Sequence, residues 1–163
     1  MKYLCIPILM IVMLSCLPNQ VDAQMDNDKL EKIIYVMSDS VVGTNGVWEM
    51  QVKGMPMMCI TDQTNNRMRI IAPVKEAKDV TEEEMKAAME ANFHTALDVR
   101  YAVSNDIMWV AYIHPLKELT KDQVINAFSQ VYNATLTFGT LYTSTELSFG
   151  TQEKKKKRKT KRF

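Results

Sequence analysis

The sequence predicts an α+β domain in the order α-βββ-α-ββ-α, an antiparallel sheet with its helices packed on one face. Three observations predict it. Thr81 with Glu84, and Thr120 with Gln123, have the spacing of N-terminal capping boxes and mark two helix starts. Five segments alternate apolar and polar residues with the period of a half-buried strand. Short polar connections join these segments, so neighbours pair as antiparallel hairpins and leave one face for water or a partner.

The elements follow in order. Asp28 and Glu31 form a capping pair, and Leu30, Ile33, Ile34, Met37 and Val41 recur at helical spacing until Gly43, Asn45 and Gly46 end the element. Trp48, Met50 and Val52 then alternate with Glu49, Gln51 and Lys53, which predicts a strand. Gly54 to Pro56 breaks it, Met57 to Asp62 reads as a second strand, and Gln63 to Asn66 is turn chemistry. A third strand runs from Arg67 to Ala72, closed by Pro73. The helix starting at Thr81 carries a Val80–Met85 staple and a stripe of Met85, Met89 and Phe93 that the spacing predicts to be buried. Leu97 to Val103 and Ile107 to Ile113 alternate as two more strands. The last helix begins after Thr120, is stapled by Leu119 and Val124, and shows its face through Phe128 and Val131; beyond Leu136 the pattern blurs.

At 163 residues the chain suits one domain. Residues 1–23 read as an export leader. Lys2 precedes an apolar core from Tyr3 to Leu14, and Val21-Asp22-Ala23 offers a cleavage site before Gln24. Leu14-Ser15-Cys16 supplies the competing reading, lipidation on Cys16, with Met13 where a lipobox usually has Leu or Val. The expected location is periplasmic or extracellular. The α+β domain is then 24–150, and a basic tail fills 151–163.

Charge divides the chain the same way. Residues 24–153 hold 11 Lys/Arg against 18 Asp/Glu, a net of −7, whereas residues 154–163 hold eight Lys/Arg and no acid. Lys154, Lys155, Lys156, Lys157, Arg158, Lys159, Lys161 and Arg162 predict a disordered, salt-sensitive binder of polyanions or anionic membrane surfaces. Without interleaved aromatics, no specific nucleic-acid recognition is expected.

Few residues carry the marks of chemistry. In NFHTALDVRY, residues 92–101, His94, Asp98 and Arg100 lie within seven positions. The reading preferred here is a helix-to-strand joint, with Asp98 and Arg100 on one strand face as a solvated ion pair. Glu82, Glu83 and Glu84 suit the positive end of a helix dipole better than a metal. Cys59 is the one cysteine beyond the leader, which leaves a buried thiol or a pairing between chains. His114-Pro115 ends a strand. No nucleotide loop, nucleophile elbow or zinc spacing is present, so no catalytic residue, metal or cofactor is expected.

Asn66-Arg67-Met68-Arg69-Ile70, Ala91-Asn92-Phe93, Asp98-Val99-Arg100-Tyr101-Ala102 and His114-Pro115-Leu116, in this element order, resemble the type III secretion chaperone-like fold and its sensory-transduction-regulator-like relatives over about residues 27–136. That resemblance implies a small, acidic, non-enzymatic homodimer that binds extended segments of partner proteins on apolar strips and sheet surfaces. The leader sets this chain apart from the cytoplasmic secretion chaperones. The chain also holds 13 Met, several around the first hairpin, and thioethers suit adaptable surfaces as well as cores. The candidate partner surface is therefore Met50, Met55, Met57, Met58, Arg67, Arg69, Asp98 and Arg100.

Overall fold

The computed structural model describes residues 24–145. The expected leader, residues 1–23, and the basic segment 154–163 lie outside these residues. Three helices and six strands follow one another: α1 (Asn27–Met37), β1 (Ser40–Thr44), β2 (Val47–Val52), β3 (Met55–Asp62), β4 (Arg67–Glu76), α2 (Glu82–His94), β5 (Val99–Ser104), β6 (Ile107–His114) and α3 (Lys121–Thr137). One antiparallel sheet orders its strands β1-β2-β3-β4-β6-β5. The α+β class and the helices on one side of the sheet agree with expectation.

Strand β1 is an addition to the expected order. Asp26, not Asp28, caps α1, accepting from the Lys29 N–H at 2.9 Å, and the helix stops at Met37. Val41 belongs to β1, opposite Met50. Asn45 and Gly46 therefore turn a hairpin rather than end a helix. Both have positive φ, 56° and 96°, as a two-residue hairpin turn requires. Lys53-Gly54 and Asn105-Asp106 turn the other two tight hairpins with the same backbone. At Gly46 an added Cβ would meet the Thr61 hydroxyl at 2.6 Å, so close approach as well as φ demands glycine there.

Pro73 does not close β4. The strand runs on to Glu76, with a register shift between Pro73 and Lys75 that accommodates the missing N–H. Both other capping boxes form as their spacing predicts, with Thr81 accepting from Glu84 N and Thr120 from Gln123 N.

Alternation builds the core. Trp48, Met50, Met57, Cys59, Met68, Ile70, Val99, Tyr101, Met108 and Val110 point to one side and are buried. Helix α3 crosses that side over β4, β5 and β6 with Val124, Ala127, Phe128 and Val131 facing inward, and α1 packs on α3. Two buried polar atoms find partners at the seam: Trp48 Nε1 donates to Glu31 Oε1 (3.0 Å), and Tyr101 OH donates to the Ala134 carbonyl (2.8 Å).

Helix α2 turns a different face inward from the expected one. Ala88 and Ala91 are buried, Met85 is half-buried, and Met89 and Phe93 are 46% and 82% exposed. Small side chains let the helix lie close beside β5, and the larger residues of the stripe are left outside.

Candidate functional site

The side of the sheet away from the helices bears no covering element among the described residues. Register places Val42, Glu49, Met58, Ile71, Ala111 and Arg100 in one row across all six strands. Val47, Ile60, Arg69 and Ile113 form the next row. Apolar side chains dominate the centre, with charges set among them. Val42 and Ile113 are 72% and 60% exposed. A cleft of about 290 Å³ opens on this face, where Glu49, Met58, Pro56, Pro73 and Trp109 meet.

The proposed surface residues divide between the two sides. Met50 and Met57 point into the core and are buried, and Met55 is half-buried against it. These three are packing residues of the hairpin, because the period of two sends them inward. Met58 lies on the open side, as do Arg67, Arg69 and Arg100. The Arg69 side chain makes no ion pair or hydrogen bond among the described residues; Arg67 Nη1 donates to Asn66 O (2.9 Å).

Asp98 and Arg100 do not pair. Asp98 precedes β5 and accepts from Gln130 Nε2 at 2.8 Å, while its own N–H donates to Gln130 Oε1 (3.1 Å). Arg100 Nη1 turns back to the carbonyls of Leu97 and Val99. His94 stacks edge-on against Phe93, and His114 stacks on Tyr112 with Nδ1 beside Pro115 O. The stretch 92–101 is a joint, with its polar groups engaged locally.

The most informative residue of that joint is Asn92, which the sequence places at the helix end and in the Ala91-Asn92-Phe93 motif but gives no role of its own. Asn92 Oδ1 accepts from Tyr101 N (2.7 Å), and Asn92 Nδ2 donates to Tyr101 O (3.1 Å). One carboxamide thus satisfies the outward donor and acceptor of Tyr101 at the middle of edge strand β5, as a neighbouring strand would. The signal for it, Asn near a helix end followed by a strand, is too common to single out. Among the described residues the opposite edge, β1, has no such cap, and it carries no charged residue between Ser40 and Thr44.

Cys59 is fully buried, and burial pushes its thiol up to about 12, so it is a packing residue with little thiolate at neutral pH. Among the described residues no group of three or more His, Cys, Asp or Glu could hold a metal ion.

The chain matches no family model and no curated protein. Among solved structures it is similar to a chain of the HopA1–SchA chaperone–effector complex, with a TM-score of 0.52 at 10% identity, over 69% of this chain and 88% of that one. At that identity the likeness shows the fold. It agrees with the chaperone-like architecture that the sequence resembles.

Proposed function

We propose that this protein is an exported, non-enzymatic binding module that seats segments of partner proteins on the open face of its sheet. The observation that carries the reading is the uncovered, largely apolar row from Val42 through Met58 and Ile71 to Ala111. An apolar strip left open on a folded domain, here exposed at Val42 and Ile113, half-buried at Met58 and Ile71 and interrupted by Glu49, supports an interaction site. The likeness to a chaperone–effector complex supports the same class of role. Flanking Arg69 and Glu49 supply charges that orient an extended segment, and the thioether of Met58 adapts to its side chains. The protein acts as a homodimer in this reading, through apolar residues exposed on α2 and β5, Met89, Phe93 and Val103.

The run Lys154 to Arg162 favours a second activity on the same molecule, retention of polyanions or anionic membrane surfaces in the cell envelope by counterion release.

The test is a pull-down from envelope extract with the full chain, the Ile71→Asp/Ile113→Asp variant and a chain lacking residues 154–163, with circular dichroism confirming the fold. A protein retained by the full chain and the shortened chain, and lost with the sheet-face variant, supports the open face. Retention unaffected by Ile71→Asp/Ile113→Asp overturns it. Material lost only with the tail, or in moderate salt, assigns binding to the tail.

A further inference from the structure

The cations of the domain are sorted by type. Residues 24–145 hold three arginines and eight lysines. Alternation puts all three arginines, Arg67, Arg69 and Arg100, on the open face of the sheet. Of these lysines only Lys75 lies in a strand, and past the register shift it pairs with Glu84 on α2. Arginine offers a planar fork that meets a carboxylate at two points, whereas lysine is a hydrated point charge.

Two of the three arginines are engaged. Arg67 Nη1 donates to Asn66 O. Arg100 Nη1 donates to the carbonyls of Leu97 and Val99, in a cleft it shares with Asp98 and Asp122. The Arg69 side chain is exposed and makes no ion pair or hydrogen bond among the described residues. Its cross-strand neighbours are Ile60 and Ile113, and Ile71 follows two residues along β4. The surrounding acids do not serve it. Asp62 stands opposite Arg67, with its two oxygens held by Asn65 at 2.9 and 2.7 Å. Asp98, before β5, is held by Gln130. Glu49 on β2 and Asp98 each lie two strands from Arg69, at least about 10 Å. An unpaired guanidinium thus stands among isoleucines.

We propose a partner for the open face, resting on its reading as the binding surface: an extended protein segment with a carboxylate between two apolar side chains at alternate positions. The carboxylate seats on Arg69, and the apolar side chains seat on Ile60 and Ile113. Alternate side chains of an extended segment point the same way, about 6.6 Å apart. Ile60, Arg69 and Ile113 follow one another across strands at about 4.8 Å, and the long Arg69 side chain absorbs a mismatch of about 2 Å. A wholly apolar segment would cover the guanidinium without pairing it, so the same contact selects against such partners. The acidic body, net −7 over residues 24–153, repels a polyanion from this face more than it repels a single carboxylate.

NMR titration of the ¹⁵N-labelled full chain tests the assignment. The probe is the peptide Thr-Leu-Thr-Glu-Thr-Leu-Thr, beside forms with Gln or Lys in place of its Glu. The Glu peptide should shift the amides of Ile60, Arg69, Ile71 and Ile113 and bind about fivefold more tightly than the Gln form at low salt. The Lys form should bind most weakly. R69Q should erase the preference for Glu over Gln, whereas K86Q, which removes the same charge from α2, should keep it. R69K retains the charge without the fork and should keep only part of the preference, so the test holds even if R69Q perturbs the sheet. Equal affinity for the Glu and Gln peptides at the open face would overturn this partner chemistry and leave the open-face reading intact. No shift, or shifts only elsewhere, those confined to residues 154–163 included, would overturn it too, and the pull-down with Ile71→Asp/Ile113→Asp then decides the open-face reading by itself. Tighter binding of octathymidylate than of the Glu peptide at the same amides would overturn it in favour of nucleic acid.

Discussion

Met57 and Met58 are neighbours on one strand and have opposite fates. Met57 points under the helices and is buried, whereas Met58 points to the open face beside Ile71 and a cleft. The same contrast runs along β4, where Met68 and Ile70 are core and Arg69 is exposed. Each strand serves two surfaces of different purpose. The covered surface stabilises through packing and loss of water contact, and the uncovered one retains apolar area that a partner can remove from water.

Truncation of the covered side gives the largest effect. Phe128→Ala should cost about 3–5 kcal/mol of stability, read by urea unfolding. A loss below about 1 kcal/mol would mean that the inner face is loosely packed and that the contrast between the faces is overstated.

The sheet's edges come next. Asn92→Ala strips the cap from Tyr101 and should cost about 1–3 kcal/mol. It should also increase concentration-dependent self-association, measured by sedimentation, because an unprotected edge recruits strands. Unchanged stability and association would show that β5 has no need of the cap and is no better protected than β1.

On the uncovered side, Ile113→Thr should change stability by no more than about 0.5 kcal/mol while weakening retention of a protein partner. A large loss of stability instead would place Ile113 in the structural core and remove it from the candidate surface.

The smallest effect concerns the contact between α2 and β4. The Lys75 ammonium, 2.7 Å from Glu84 Oε2, and then the Thr81 N–H hold the Glu84 carboxyl below its usual range. A folded-state pKa below the unfolded one contributes stability that is complete above the ordinary glutamate range. The contribution is lost as pH falls through the lowered folded value. Titration of the Glu84 side chain by NMR should show the low midpoint, and Glu84→Gln should flatten that part of the acid limb. An ordinary midpoint would mean that Lys75 and Thr81 do not hold the carboxylate in solution.

Much of this architecture is legible because its determinants are local. Thr81 with Glu84 and Thr120 with Gln123 close their own backbone turns within three residues. The strand period alone puts Arg67, Arg69 and Ile71 on one face. Strand β1 escaped because Val41 stands four residues after Met37 and so continued a helical pattern. The hairpin identity of Asn45-Gly46 emerges only when β2 pairs back on β1. Helix α2 carries alanines on one face and larger apolar residues on another, and periodicity does not say which one the sheet accepts.

The candidate site was legible in part, and the division has a physical basis. The sequence by itself determined the three helices and five of the six strands, the caps at Thr81 and Thr120, the charge division and the alternation that separates Met57 from Met58. These depend on backbone preferences and neighbours a few positions apart. Tertiary structure alone decided which side of the sheet the helices cover, the pairing of Asn92 with Tyr101 on edge strand β5, and the contact of Asp98 with Gln130. Such contacts join residues far apart in the chain, and their free energy depends on distances that exist only once the core has packed.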